Sequence, residues 1–463
     1  MTDHDKATRR ILLHRTLWRW HFYAGLFCVP FVLILAITGA IYLFKPQVNA
    51  WLDQPYAHVA LSGPAASPEA QALAAVGSIP AGRLKAYQLP DAPDQAVQVL
   101  VSAKGEDTRV WVHPQTLQVL KAVPEKGRFM QVVHDIHGEL LMGKTGSILV
   151  ELAGSWALIM VLTGLYLWWP RGAQGLAGVV YPRLGRGGRL FWRDIHAVTG
   201  VWISSLALFL LLTALPWTQV WGQAFKEVRR MAVPAAVPAD WPTAGNRAQP
   251  DDLHAEHRGM KGMANHDHLM PGQYAALNLI VPQAQTLNLA YPALVSPPGK
   301  RAKTWTAKSD SQDRPLREEY RFTARGERIG HDGFADKPLL DRVVSVGVAA
   351  HEGQLFGLPN QLLGVIAALG MSTLSVSGVV MWWKRRPESR LGAPETLDTR
   401  PLSIGLGLLA LAFAVFLPVM GISLAIVILL DRLVFPFIPG LRTWLGLAGP
   451  GEGLAPSHRR RFA

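Results

Sequence analysis

The sequence predicts a mainly α integral membrane protein: a helical core of two parallel repeats, carrying two small α+β domains on its outer side. Three observations predict it. Long apolar runs alternate with polar stretches. Arginines and lysines flank those runs on one side more than on the other. The chain also overlays on itself. Residues 137–171 match residues 351–385 without a gap, at an offset of 351 − 137 = 214. His137 then falls on His351, Leu141 on Leu355, Gly143 on Gly357, Thr163-Gly164 on Ser377-Gly378, Trp168-Trp169 on Trp382-Trp383, and Arg171 on Arg385. A second overlay, at 196 − 21 = 175, puts His21 on His196, Gly25 on Gly200 and Thr38 on Thr213. Duplicated segments in one orientation make a parallel repeat.

The elements follow in order. Residues 1–19 are a basic leader with Lys6, Arg9, Arg10, Arg15 and Arg19. Residues 20–44 form the first span, about 25 residues or roughly 37 Å of helix, too long for the core of a secretory signal. The N-terminus is then cytoplasmic. Residues 45–144 form the first outer domain: a helix over 67–76, capped by Ser67 with Pro68 in its first turn, then strands over 83–89, 96–102, 109–113 and 117–122. His113-Pro114-Gln115-Thr116 supplies a hairpin-type turn.

The second span is 146–169, and the loop 170–194 after it holds Arg171, Arg183, Arg186, Arg189 and Arg193, which marks it cytoplasmic. The third span is 195–217. Residues 222–350 form the second outer domain, with a helix around 273–281, strands over 286–295, 302–307 and 318–323, and a turn at Arg325-Gly326. The fourth span is 359–383, followed by the basic loop 384–400. Residues 402–430 make a fifth apolar run with Pro418 near its middle, long enough that a tilted or kinked span is expected. The alternative is a re-entrant or hairpin arrangement about Pro418. A single span would put the arginine-bearing tail 431–463 outside, against the positive-inside trend.

Composition narrows the chemistry. Hydrophobic residues make up 49% of the 463, clustered in the runs above, so the net charge of +13 reads as membrane topology rather than nucleic-acid binding. Cys28 is the single cysteine, which excludes an intrachain disulfide, a cysteine-ligated iron–sulfur cluster and covalent haem attachment through C-x-x-C-H. The chain has no Walker loop, no H-E-x-x-H and no G-x-G-x-x-G opening a helix.

Four histidines carry the chemical signal, each at the edge of an apolar run: His21 and His196 at the cytoplasmic boundary, His137 and His351 at the outer one. An ionisable or metal-binding side chain there is costly and often functional. A pair of neutral imidazoles at each boundary suits a non-covalently held haem iron, one ligand on each face, and two haems stacked across a bilayer would form an electron path. The plain alternative is interfacial histidines that cap helices or bind headgroups. Gly25 and Gly200, each four residues after its histidine, permit close approach of a macrocycle or of another helix, as do Thr38-Gly39, Thr163-Gly164 and Ser377-Gly378. His134, three residues before His137, is a second ligand, a propionate partner, a substrate contact or polar surface; Val348 takes its place in the other half. The Trp pairs are interfacial anchors. The insert 254–270, with His254, His257, Met260, Met263, His266, His268 and Met270, offers imidazole and thioether ligands for copper, iron or zinc, or is a plain His-rich loop.

These frames, from Trp20-His21-Phe22-Tyr23-Ala24-Gly25 and Asp194-Ile195-His196 through His137-Gly138-Glu139-Leu140-Leu141 and His351-Glu352-Gly353-Gln354-Leu355 to Leu165-Tyr166-Leu167-Trp168-Trp169-Pro170-Arg171, resemble the PepSY-associated transmembrane proteins, often called iron-regulated inner-membrane proteins. The resemblance covers nearly the whole chain. It implies two periplasmic PepSY-type domains on a helical core in a bacterial inner membrane. It also implies two b-type haems with bis-His ligation by His21, His196, His137 and His351, and reduction of a ferric siderophore at the periplasmic face. A quinol or a cytoplasmic reductase would donate the electrons. The His/Met insert departs from the plainer family pattern and points to cupric reduction as a variant. A permease for a metal complex, or a regulatory binding module anchored by the spans, are the rival functions.

Overall fold

The structure is a computed structural model that describes residues 3–170, 175–232, 272–299, 304–388, 390–394 and 404–447. The insert 254–270, with its His254, His257, Met260, Met263, His266 and His268, lies outside the described residues, as does the tail from residue 448 onward. Helices run in the order α1 Asp3–Tyr42, α2 Lys45–Leu52, α3 Pro68–Gly77, α4 Phe129–Glu139, α5 Gly143–Trp168, α6 Gly188–Ala214, α7 Val220–Ala232, α8 Ala276–Gln285, α9 Leu339–His351, α10 Leu358–Arg385, α11 Ile404–Phe416, α12 Pro418–Leu433 and α13 Pro439–Leu445. Strands β1 Arg83–Gln88, β2 Val97–Ala103, β3 Glu106–Val112 and β4 Val119–Pro124 precede β5 Ala293–Ser296, β6 Trp305–Ser309, β7 Glu319–Phe322 and β8 Arg328–Asp332. The chain divides into two compact units, one of residues 1–37, 145–224 and 366–463, the other of residues 38–144 and 225–365.

The first unit is helical. Among the described residues, five helices are long and apolar enough to cross a membrane: Arg10–Tyr42, Gly143–Trp168, Gly188–Trp217, Leu358–Arg385 and Pro418–Phe437. The basic leader is not a separate element, because α1 runs unbroken from Asp3 through it and past Pro30. Glu151, buried on α5, accepts hydrogen bonds from the Val220 and Trp221 backbone N–H groups (2.7 and 2.9 Å), so a carboxylate of one helix closes the positively polarised start of α7.

The apolar run 402–430 is two helices rather than one span. Pro418 has no N–H to donate and its ring clashes with a preceding helical carbonyl, so helical geometry stops at Leu417 (φ −119°, ψ 77°) and α12 starts with Pro418 in its first turn. The chain folds back there. A Cβ on Gly421 would lie 2.6 Å from the Ala414 carbonyl oxygen, whereas residues seven apart in a continuous helix are separated by roughly 10 Å. This is the hairpin about Pro418. Its return brings Trp444 back to Leu391, whose N–H it accepts at 2.9 Å, and brings Gly446 and Leu445 to Arg19 and Tyr23 of α1.

The second unit is built on one sheet. Its order is β4-β3-β2-β1-β5-β6-β7-β8, with every adjacent pair antiparallel. The two outer regions read from the sequence as separate domains thus share eight continuous strands, joined where Tyr87 pairs with Val295 and Gln88 with Leu294. Edge-to-edge pairing satisfies backbone groups that two separate four-stranded sheets would leave open. The strand expected over 286–295 begins only at Ala293, and β8, unforeseen in the sequence, completes the second half. One face is covered by α3 and α8, which bury Ala72, Ala75 and Val76 with Leu277, Ile280 and Val281 against Val99, Val101, Val110 and Val295. Ser67 caps α3 as its sequence implies. Glu69 then ties the two helices together by accepting from the Gly272 N–H and the Asn278 amide.

Replacing Gly421 by Val drives a side chain into the Ala414 backbone and should cost about 1–3 kcal/mol of stability by overpacking. Gly405→Ala, on the same hairpin with nothing within 4 Å of its would-be Cβ, should leave thermal unfolding in detergent unchanged or slightly improved.

Candidate functional site: a histidine pair held by neighbouring hydroxyls

Within the helical unit the structure brings His21 of α1 and His196 of α6 together. Their ring centroids are 6.4 Å apart and their planes lie at 89°. Each ring is held from the next helix in the same way. His21 Nδ1 lies 3.1 Å from Thr163 Oγ1 on α5. His196 Nδ1 lies 3.0 Å from Ser377 Oγ and 3.1 Å from the Leu374 carbonyl on α10. Thr163 and Ser377 coincide under the 214-residue overlay, and His21 and His196 under the 175-residue one, so these are the same contact made twice.

The hydroxyls settle which ring nitrogen carries the proton. Thr163 donates to the Ile159 carbonyl at 2.8 Å, and Ser377 to the Thr373 carbonyl at 2.6 Å, each four residues back along its own helix. A hydroxyl has one proton, so toward the histidine it can only accept. The Leu374 carbonyl can only accept as well. Nδ1 of both rings is therefore the N–H donor, and in the neutral imidazole Nε2 keeps its lone pair. Neither Nε2 has a hydrogen-bond partner among the described residues.

The glycine beside each hydroxyl makes room for the ring. A Cβ on Gly164 would sit 3.2 Å from His21 Cε1, and one on Gly378 would sit 3.6 Å from His196 Cε1. The Thr-Gly and Ser-Gly pairs, read from the sequence as small surfaces for helix or macrocycle approach, thus have a narrower role. The hydroxyl anchors an imidazole and the glycine clears its edge. Gly25 and Gly200 pack against neighbouring helices instead, facing Met160 Cε at 3.6 Å and Leu374 Cδ2 at 3.5 Å.

The helix ends that carry the two histidines are also fixed. Asp194, two residues before His196 and fully buried, accepts from Arg183 through Nε (2.6 Å), Nη2 (2.9 Å) and backbone N–H (3.2 Å), and from Arg193 at 3.0 Å. Arg19, two residues before His21, donates to the Pro394 and Gly446 carbonyls. In each half the first tryptophan of the Trp pair donates its indole N–H to the loop that follows, Trp168 to Val179 (3.0 Å) and Trp382 to Leu391 (2.8 Å), while Trp169 and Trp383 stay exposed.

In the sheet-bearing unit, His137 near the end of α4 repeats the device. Its Nδ1 lies 3.0 Å from Thr38 Oγ1, and a Cβ on Gly39 would meet His137 Cε1 at 3.0 Å. His351 is the last residue of α9 and is half-buried. His134 turns its ring toward Tyr42, at a centroid separation of 5.4 Å, and its Nδ1 lies 3.3 Å from Asp135. The hydroxyl anchors were visible in the sequence as Thr/Ser-Gly pairs at matching register, but their partners were not. Asp194 stood in the quoted His196 frame without an assigned role, and Glu151 and Tyr42 carried no signal by themselves.

The expected readout is tautomeric. With 15N-labelled histidine, His21 and His196 should show the Nδ1–H form by NMR. Thr163→Val, which keeps the shape and removes the acceptor, should shift the His21 signals and leave those of His196 in place.

The comparisons with known proteins agree with this architecture. No curated protein matches the chain. A family model does, the PepSY-associated TM region, over residues 18–385, a stretch that begins just before His21 and ends after the Trp382-Trp383 pair. With most of its length and all four register histidines inside that match, the chain is a multi-pass membrane protein of the PepSY-associated transmembrane family.

Proposed function

We propose that this protein is a di-haem membrane oxidoreductase of a bacterial inner membrane that reduces a ferric siderophore on the periplasmic side. The observation that carries the reading is the His21–His196 pair. A metal–imidazole bond is about 2.0–2.1 Å and a ring nitrogen lies about 1.1 Å from its ring centroid, so two imidazoles that held one metal ion between them would have centroids about 6.3 Å apart. The observed 6.4 Å matches that spacing. The donor chemistry fits too: two neutral rings, each with Nδ1 engaged and Nε2 free to donate a lone pair. When bound there, b-type haem supplies one-electron exchange.

The chain's own residues orient and insulate. Thr163 and Ser377 lock the ring tautomers, Asp194 and Arg19 fix the helix ends, and the apolar spans keep water from the path. His137, anchored by Thr38, and His351, its overlay partner, are the proposed ligands of the second haem. His134 is an added contact rather than the second ligand, since its ring is turned to Tyr42. Basic residues at the His21 end, among them Arg385 stacked on Trp18 and Phe22, support a cytoplasmic position for that end by the positive-inside rule. One electron from a quinol or a cytoplasmic reductase converts ferric to ferrous iron, which hard oxygen ligands hold less tightly. The acceptor class comes from the family resemblance.

A pyridine-haemochrome assay on purified chain should count two haems. His21→Ala and His137→Ala should each remove one spectral component and leave the other. Thr163→Val and Ser377→Ala should weaken haem retention about 10–100-fold, the usual cost of losing an outer-shell partner. Folded protein without haem, or uptake of the ferric complex into proteoliposomes with no reductant present, would replace this reading with a permease.

A further inference from the structure

One cation next to Tyr42 makes no close ion pair among the described residues. Around Tyr42, at the end of α1, the sheet-bearing unit collects basic residues, and most are paired. Arg109 forks onto Glu125 (2.9 and 3.0 Å), Arg128 meets Asp53 (3.0 Å), Arg317 approaches Asp310 (3.9 Å) and Arg314 approaches Glu352 (4.0 Å). Lys45 differs. Among the described residues its ammonium makes one hydrogen bond, to Tyr42 Oη at 3.3 Å, and no carboxylate lies within 4.0 Å. Burial by itself would push this ammonium's pKa down, but Tyr42, Glu352 and Asp310 together hold it above its ordinary value, so it is charged at neutral pH. Of its three N–H donors, only the one directed at Tyr42 is used among the described residues.

The surroundings say where a further acceptor would sit. Tyr42 lies four residues, one helical turn, after Thr38, the anchor of His137, and it stacks on His134, one turn before His137. Glu352 follows His351 directly. The cluster is also what breaks the internal duplication. Under the overlays Tyr42 falls on Trp217, Lys45 on Val220, His134 on Val348 and Glu352 on Gly138, so the copies carry none of this charge. A feature present in one half alone is not needed to hold the repeat together.

We propose that Lys45, bonded to the Tyr42 whose ring lies against His134, receives a carboxylate of the molecule that docks beside His137. The ammonium has N–H donors to spare, and a carboxylate supplies the missing charge. The inference rests on the reading of His137 as part of a redox site and names the chemistry that site accepts. The carboxylate has two sources, a propionate of the porphyrin or an acid group of a ferric chelate.

Full-length protein in lipid nanodiscs separates them. Ferric citrate is titrated by tryptophan quenching against wild type, Lys45→Gln, Lys45→Arg and Tyr42→Phe. In parallel, protohaem and its propionate dimethyl ester are titrated into apoprotein carrying His21→Ala, which leaves the His137 site alone. If the chelate is the source, Lys45→Gln weakens ferric citrate at least about tenfold, as expected for a lost charge-assisted hydrogen bond, and Lys45→Arg restores most of it. If the propionate is the source, the free acid binds at least about tenfold more tightly than the ester, and Lys45→Gln erases the difference. Tyr42→Phe keeps the ring and shifts the same titration in the same direction by a smaller factor, which covers the case of a misfolded Lys45→Gln. Variants that leave both titrations unchanged overturn the proposal. Protein that takes no porphyrin overturns the haem reading instead, while the ferric citrate titration still reads Lys45.

Discussion

A hydroxyl whose only proton is already committed to its own helix governs the rest of this site. Inside an apolar bundle every polar group needs a partner from the protein. Thr163 and Ser377 meet that need by donating back to the Ile159 and Thr373 carbonyls, and from then on they can only accept. The imidazole of the facing helix has no choice but to donate from Nδ1. Tautomer, ring orientation and the direction of the remaining lone pair follow from that single contact. The adjoining glycine lets the ring lie close to the helix backbone, tightly at Gly164 and in ordinary contact at Gly378. At Thr38, Gly39 and His137 the hydroxyl–imidazole contact and the close glycine recur.

Charge is handled differently in the two units. In the helical unit two buried carboxyl groups are closed off, Asp194 by Arg183 and Arg193, and Glu151 by the start of α7. Those contacts hold helices and offer nothing to a ligand. In the sheet-bearing unit Arg109, Arg128, Arg314 and Arg317 each face a carboxylate, whereas the Lys45 ammonium bonds only to Tyr42. Burial in a place of low dielectric makes the contrast meaningful, since an exposed lysine without a partner would signify little.

The hairpin of α11 and α12 follows from covalent geometry more than from packing. Proline removes one donor and sterically blocks one acceptor, and Gly421 lets the two arms touch at Ala414. The apolar content of residues 402–430 is the same whether the run crosses the bilayer or turns back, so hydropathy cannot distinguish them. The backbone at Leu417 does.

Much was legible in the residues themselves. The spans, the capped helix at Ser67, most of the strands and the four histidines follow from local pattern and from the chain's overlay on itself, because periodicity and duplication are properties of one dimension. What the fold decided is who meets whom. Nothing local pairs β1 with β5, so two halves read as separate domains share one sheet. Nothing local tells Thr163 that His21, 142 residues earlier, is its partner, or leaves Lys45 without a carboxylate while four neighbouring arginines find theirs. Sequence determined which side chains stand at each boundary of the spans. Tertiary structure decided their hydrogen bonds, and with them their protonation and the chemistry open to them, because those depend on distances across helices and not on spacing along one.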